Sequence, residues 1–347
     1  MRPMPKPAPR RLLVLAEGFS GDPHHGKTLR GVLRYRRDDV VAILDSGRAG
    51  ALDDGVPVLG DIQAALRHRP TAALVGVATQ GGRFPPAWRT LLADCIRSGL
   101  AIENGLHEFV SDDPELSALA GEHDVELRDL RRPPEDLDCP TGANLEVDAQ
   151  IVLTVGSDCA VGKMTVSLEL DRAAGARGIS SCFVPTGQTG IAIAGWGIAV
   201  DAVVSDFLAG AAERLVVEGA GRGGELLLVE GQGSLVHPAY AGVTLGLLHG
   251  STPHALVLCH KAGSTEIDGY PGHPLPPLDQ LVDLYVRSSL PARPARVACI
   301  ALNTAHLGET EAAMAIRAAT EATGLPADDP VRHGGAQLLD AVLASVR

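Results

Sequence analysis

Aromatic side chains are scarce in this chain. Phenylalanine, tyrosine and tryptophan together supply 3% of its 347 residues, so alanine, valine, leucine and glycine must fill the core. No apolar run approaches the roughly 18 residues of a bilayer-spanning helix. A basic face is missing as well. The net charge of −12 argues against broad nucleic-acid binding and against attraction to anionic membranes. The start, Met1 to Arg11, is basic and rich in proline. The apolar run behind it, Leu12 to Ala16, is too short for a signal-peptide core. The cysteines at 95, 139, 159, 182, 259 and 299 form no CxxC pair and no regular spacing. Reduced thiols and a cytoplasmic location are the expectation. No zinc motif and no metal site are expected either.

The chain is long enough for two domains of ordinary size. Apolar content of 45% is that of a globular protein, and 40 glycines with 24 prolines point to many tight βα loops. Residues 12–130 alternate apolar runs (Leu12–Ala16, Val40–Leu44, Ala72–Val77, Leu100–Ile102) with helical stretches (Lys27–Arg36, Asp61–Arg69, Ala87–Ser98, Pro114–Glu122). That alternation predicts a parallel sheet with crossover helices. The polar stretch Arg131–Pro140 reads as a linker. The predicted organisation is α/β throughout: a Rossmann-like domain over 1–140 and a P-loop NTPase-like catalytic domain, with a mainly parallel sheet, over 141–347. In the second domain, strands are expected at Ile151–Val155, Ser181–Val184, Leu226–Val229, Ala255–Cys259 and Val297–Leu302. Helices are expected after the P-loop and at Ala199–Ala211, Leu278–Ser288, Thr310–Thr323 and 334–346.

One stretch is far more informative than the rest. An apolar strand ends at Gly156, and Ser157, Asp158, Cys159, Ala160 and Val161 lead through Gly162 and Lys163 into Met164, Thr165 and a helix. Strand, glycine loop, lysine and helix are the parts of a phosphate cradle, because loop amides and a helix N-terminus offer unpaired N–H donors and the lysine adds charge. The spacing is GxxxxxGK, one residue longer than the common form. Met164 stands where a serine or threonine hydroxyl would bind Mg²⁺, and a thioether is a poor ligand for that hard cation. A second match, Gly21–Thr28, fits the common P-loop expression. Pro23 removes one of its amides, however, and His24 and His25 are bulky, so the start of a Rossmann-like unit is the preferred reading.

In open α/β sheets, ligands sit beyond the carboxyl ends of the strands. After Val184 comes PTGQTG, with Thr186, Gln188 and Thr189 as hydrogen-bonding candidates. The helix expected beyond it carries Asp201 and Asp206. After Val229 come Glu230, Gly231, Gln232, Gly233 and Ser234; an acid ending an apolar strand can hold a metal or serve as a general base. After Cys259 come His260 and Lys261. After Leu302 comes Asn303, whose amide can present a donor and an acceptor to an adenine edge.

Taken together, GSDCAVGKMT, PTGQTG, VEGQGSL, LLHGSTPHALVLCH and ALNT resemble the D-glutamate N-acetyltransferases of the DgcN type, a family formerly catalogued as a domain of unknown function. The resemblance covers nearly the whole chain, including Asn104–Pro114, and the loop is its most specific mark. It implies a P-loop domain related in shape to dethiobiotin synthetase. It also implies acetyl-CoA as co-substrate, a small acidic amino acid such as D-glutamate as acceptor, and a place in D-amino acid metabolism. The expected roles follow. Residues 156–165 hold the coenzyme A phosphates and Asn303 reads adenine. Glu230 or His260 acts as base, with Gln232 or loop amides stabilising the oxyanion. Gln188, Thr189, Arg222 and Lys261 bind the acceptor. A homo-oligomer with small-molecule substrates is expected. The alternatives are a Mg-ATP-dependent kinase or amide-forming ligase of the dethiobiotin synthetase type, and a non-catalytic nucleotide or coenzyme A binder.

Overall fold

The structure is a computed structural model and describes residues 10–22 and 25–346. The chain divides into two compact units. One runs to Pro133 and also takes residues 187–202; the other comprises 134–186 and residues from 203 onward.

The first unit is built on seven strands: β1 (Leu12–Leu15), β2 (Val40–Leu44), β3 (Leu52–Asp53), β4 (Val56–Leu59), β5 (Ala72–Val75), β6 (Ala101–Asn104) and β7 (Leu127–Asp129). They lie in the order β3-β4-β2-β1-β5-β6-β7. All pairings are parallel except the β3–β4 hairpin. With the short β3 set aside, this is the doubly wound order of the Rossmann fold. Its helices are α1 (Lys27–Tyr35), α2 (Ile62–Leu66), α3 (Trp88–Arg97) and α4 (Pro114–Glu122). The Asp113 carboxylate caps α4 by accepting from the Glu115 and Leu116 amides, and Pro114 opens its first turn. Asp45, just past β2, stands where dinucleotide-binding folds place the acid that meets a ribose. Here it accepts from the Gly18, Ser20 and Gly47 amides and the Ser20 hydroxyl, so it anchors the loop after β1. Burial would raise its pKa, but these hydrogen bonds lower it overall. Of the Gly21–Thr28 stretch, Pro23 and His24 lie outside the described residues; Thr28 is buried, its hydroxyl 2.9 Å from that of Thr189 in the same unit.

The second unit begins its sheet with β8 (Gln150–Gly156), followed by α5 (Lys163–Ala176) and β9 (Ser181–Val184). The chain then contributes α6 (Gln188–Ala194) to the first unit. It returns with α7 (Leu208–Gly221), β10 (Leu226–Val229), α8 (Ala241–Ser251), β11 (Ala255–Lys261), α9 (Leu278–Ser288) and β12 (Arg296–Asn303). α10 (Glu309–Thr323), β13 (Ala327–Asp328), α11 (Pro330–His333) and α12 (Ala336–Ser345) complete it. The sheet order is β13-β12-β11-β8-β10-β9, parallel throughout. The chain winds from β8 towards β9 and β10 on one side and towards β11, β12 and β13 on the other. The loop after β8 therefore opens at the topological switch point, where such sheets bind ligands. A continuous aliphatic core fixes it there. Val166, Leu170 and Ala174 on one stripe of α5, and Leu338, Leu339 and Val342 of α12, pack with Val152, Leu228, Val257 and Ala301 of the sheet.

The helix expected over Ala199–Ala211 is displaced. Residues 200–202 and 205–207 form single 3₁₀ turns, and the α-helix runs over Leu208–Gly221. The reason is a partner distant in sequence: Asp201 pairs with the Arg131 guanidinium within the first unit. The stripe that buries helically is Leu208, Ala211, Ala212, Leu215, Val216 and Gly219. Among the described residues, no helix is long and apolar enough to cross a membrane.

His254 joins two strand starts. Its amide donates to the Ile151 carbonyl at 2.8 Å, and its Nδ1 accepts from the Ile151 amide at 3.0 Å. Burial, with the Arg293 charge adding, lowers its pKa below the ordinary imidazole value. The unfolded chain therefore binds this proton more readily, and stability falls as pH drops below about 6.5. Between pH 7 and pH 5 the urea midpoint should fall. His254→Gln, which keeps an acceptor for Ile151, should shrink that fall; an unchanged acid limb would exclude His254 as a contributor.

Candidate active site

The glycine loop is organised around a buried ammonium. α5 begins at Lys163 without a side-chain cap, after Gly162 at φ 106°, and carries no acid in its first turn. Its first amides are thus available to an anion. The Lys163 side chain folds back, and Nζ donates to the Asp158 carbonyl at 2.8 Å. A carbonyl satisfies one donor but neutralises no charge. Burial drives the lysine pKa down; Cys259, Cys159, Asp158 and Glu230 oppose that shift. Two glycines make the fold-back possible. A Cβ on Gly156 would lie 2.7 Å from Nζ, and one on Gly231 would lie 1.7 Å from the Thr154 carbonyl and 3.1 Å from Lys163 Cδ. Ala160 holds a left-handed conformation at φ 53°, a mild strain of the kind found where loops close on ligands.

Neighbouring strand ends hold the loop in place. The Ser157 amide donates to the Cys259 carbonyl at 2.9 Å, and its hydroxyl lies 2.9 Å from His260 Nδ1. The Ser234 hydroxyl donates to the Ser157 carbonyl. Asp158 accepts from the Cys159 and Asp268 amides, one on each carboxylate oxygen. Tyr285, fully buried on α9, donates its hydroxyl to the Gly156 carbonyl at 2.6 Å and accepts from the Leu235 amide at 3.2 Å. Burial pushes the Tyr285 phenol up to about 12, so it stays a donor. Thr154 accepts from the Gly231 amide, which ties β8 to the end of β10.

At that end stands Glu230, nearly fully buried. Its carboxylate accepts from the Thr186 amide at 2.9 Å, and its carbonyl accepts from the Thr186 hydroxyl at 2.6 Å. Gln232 Nε2 reaches the same hydroxyl at 3.3 Å. Glu230, Gln232 and Thr186 therefore form one cluster on the β10 flank of the loop. His260 lies on the other flank, on β11. Burial lowers its pKa and so favours the neutral imidazole, against the opposing pull of the Asp158 charge. Lys261 is exposed and in register with Asn303; Asn303 Oδ1 accepts from the Ala305 amide at 3.2 Å.

The other residues singled out from sequence are placed as follows. Arg222 caps the end of α7, paired with Glu218 at 2.7 Å. It precedes β10 and so stands at the amino edge of the sheet, opposite the loop, because the turn entering a strand lies at the other end from the turn leaving it. Gln188 and Thr189, both buried, open α6 in the first unit. Tyr285 escaped the sequence reading because its spacing from Leu281 matches a core stripe. A third group, Asp158, Cys159 and His237, brings potential ligand atoms within 4.8 Å of one another. His237 Nδ1 accepts from the Ala239 amide, so in the neutral ring Nε2 carries the proton and serves as a donor rather than a metal ligand.

Comparison with known proteins agrees with this geometry. Residues 138–339 match the P-loop domain of the family described as a domain of unknown function, DUF1611, and residues 45–133 match its Rossmann-like N-terminal domain. The chain belongs to this family, and with it to the N-acetyltransferases. It is 36% identical to a D-glutamate N-acetyltransferase of Tritonibacter scottomollicae, over 95% of this chain and 98% of that one. It is 35% identical to a D-glutamate N-acetyltransferase of a Pseudoalteromonas species, over 79% and 80%. The crystal structure of a DUF1611 family protein from Anabaena variabilis superposes with a TM-score of 0.90 at 40% identity, covering 96% of this chain and 99% of that one.

Tyr285→Phe should separate support of the loop from chemistry. It leaves the Leu235 amide and the Gly156 carbonyl without a partner in the core, at a cost of about 1–3 kcal/mol. The urea midpoint should drop and the donor KM should rise more than kcat falls. An unchanged midpoint together with an unchanged KM would show that the hydroxyl does not support the loop.

Proposed function

We propose that the protein transfers the acetyl group of acetyl-CoA to the amine of a small acidic amino acid, with D-glutamate the first choice. The buried Lys163 in an uncapped phosphate cradle, with Met164 at the metal position, carries this reading. The cradle suits the phosphates of coenzyme A, while the thioether supplies no oxygen for the Mg²⁺ that phosphoryl transfer requires. The names of the two curated relatives support both the reaction and the acceptor.

The residues then divide the work. Residues 156–165 hold phosphates, and the Lys163 charge is matched by the ligand. Glu230 accepts a proton from the acceptor ammonium, which frees the amine to attack the thioester carbonyl. Such general-base assistance contributes about 10²–10⁴ in rate. Gln232 Nε2 and the loop amides offer donors to the oxyanion of the tetrahedral intermediate. Its collapse breaks the C–S bond, and as the nitrogen gives up its second proton the leaving thiolate takes one, so coenzyme A departs as the thiol. Lys261 ends β11 on the His260 flank, and Arg222 lies at the opposite edge of the sheet, so Arg222 does not serve an acceptor carboxylate.

Incubating the protein with acetyl-CoA and a panel of D- and L-amino acids, and following free thiol, tests this directly. Thiol release with an acidic amino acid, unaffected by EDTA, is expected, and Glu230→Gln should lower kcat by about 10²-fold or more. No release with any acidic amino acid, or Mg²⁺-dependent ADP formation from ATP, would overturn it.

A further inference from the structure

A cavity of about 220 Å³ opens at the carboxyl ends of β11 and β12. His260, Leu278 and Leu302 line it, with Ala315, Ala318 and Ala319 of α10. Those alanines are spaced i, i+3, i+4, so their methyl groups share one helix face. The lining holds no lysine, arginine or carboxylate, and burial keeps His260 neutral. A phosphate or an amino-acid dicarboxylate would lose its hydration there without gaining a counter-charge. An uncharged planar heterocycle would not.

Position narrows the choice. β11 lies between β12 and β8, while Glu230 follows β10 on the far side of β8. The cavity is therefore on the flank of the phosphate loop away from the Glu230 cluster. His260 belongs to both places: it lines the cavity, and its Nδ1 is 2.9 Å from the Ser157 hydroxyl in the loop. Leu302, in register with His260, is followed directly by Asn303. A ligand with phosphates in the loop thus finds an apolar recess on one side.

We propose that this cavity takes the adenine ring of coenzyme A, so that His260 positions the cofactor and the acceptor amino acid binds on the Glu230 flank. The proposal rests on the acetyl-CoA reading given above. It assigns the general base to Glu230 alone and makes the alanine face of α10 the determinant of nucleotide recognition.

The test uses a donor that lacks the nucleotide. Ala318 is exposed, so Ala318→Leu can fill the recess without disturbing the core. The KM for acetyl-CoA should rise about tenfold, as on losing one stacked base, with kcat and the acceptor KM unchanged. Turnover of S-acetyl-pantetheine should be the same in variant and wild type. Equal losses with both donors, or a shifted acceptor KM, would place the cavity at the reacting end and overturn the proposal, as would an unaffected KM for acetyl-CoA. Wild-type protein gives a second measurement, independent of any folding defect. Adenosine bisphosphate, the nucleotide end of coenzyme A, should compete with acetyl-CoA far better than pyrophosphate; equal competition would sink the adenine assignment. If the wild type releases no thiol from acetyl-CoA with any acceptor, the acetyltransfer reading has failed. Normal wild-type turnover with an unaffected Ala318→Leu variant removes only the adenine slot.

Discussion

A buried ammonium that donates to a backbone carbonyl is the constraint on which the second unit depends. Removing a charge from water costs several kcal/mol unless an opposite charge replaces the lost hydration. Lys163 is nearly inaccessible and donates to the Asp158 carbonyl. The surrounding sequence is organised to keep it there. Gly156 and Gly231 lack the Cβ atoms that would collide with the lysine or the adjoining backbone. Tyr285 and Ser234 take up the carbonyls of Gly156 and Ser157, the first residues of the loop. An arrangement that holds a cation out of water, beside uncapped helix amides, gains stability when an anion arrives. The desolvation of Lys163 and the left-handed Ala160 are thus carried in the folded chain itself.

Much of this was legible because it is local. Strand, glycine loop, lysine and helix occupy consecutive positions from 151 to 176, and the predicted strands at 181–184 and 226–229 coincide with β9 and β10. Long aliphatic runs bounded by turns are the strongest signal a sequence carries. What was not legible depends on partners far away in the chain. β3, β7 and β13 contain only two or three residues each, too few for any period to show. The helix expected from Ala199 starts nine residues later, because Asp201 is held by Arg131. Tyr285 carries no mark in sequence that separates a core tyrosine from one whose hydroxyl holds a loop. Arg222 is a different kind of miss. Its chemistry fitted a carboxylate, but its place before β10 already put it at the wrong edge of a parallel sheet.

The scarcity of aromatics takes on meaning in this setting. The chain has four tyrosines, and Tyr240, Tyr270 and Tyr285 all belong to the neighbourhood of one loop. Tyr285 bonds its first carbonyl. Tyr240 stacks on His237 at 4.7 Å between centroids and Tyr270 meets the same ring edge-on at 5.2 Å. His237 in turn lies by Asp158 and Cys159. Three of the four tyrosines thus bring a ring with a polar tip to loops that must pack and still satisfy their backbone groups.

Replacing a metal-binding hydroxyl by a thioether has consequences beyond the residue itself. In a nucleotide hydrolase the phosphate is both the anchor and the reacting group, so cradle, metal and catalytic acid converge on one atom. Here Met164 puts a thioether where that hydroxyl would stand, and the polar groups of the site are spread along the sheet edge. The parallel order β12-β11-β8-β10 then becomes a ruler. Neighbouring strands are about 4.8 Å apart, so the ends of β11 and β10 are separated by roughly two such spacings, with the loop between them. One flank holds a neutral histidine and small aliphatic side chains. The other holds a buried carboxylate bonded to a backbone amide. Groups of such different polarity thus stand on either side of one glycine loop, held apart by the strand order itself.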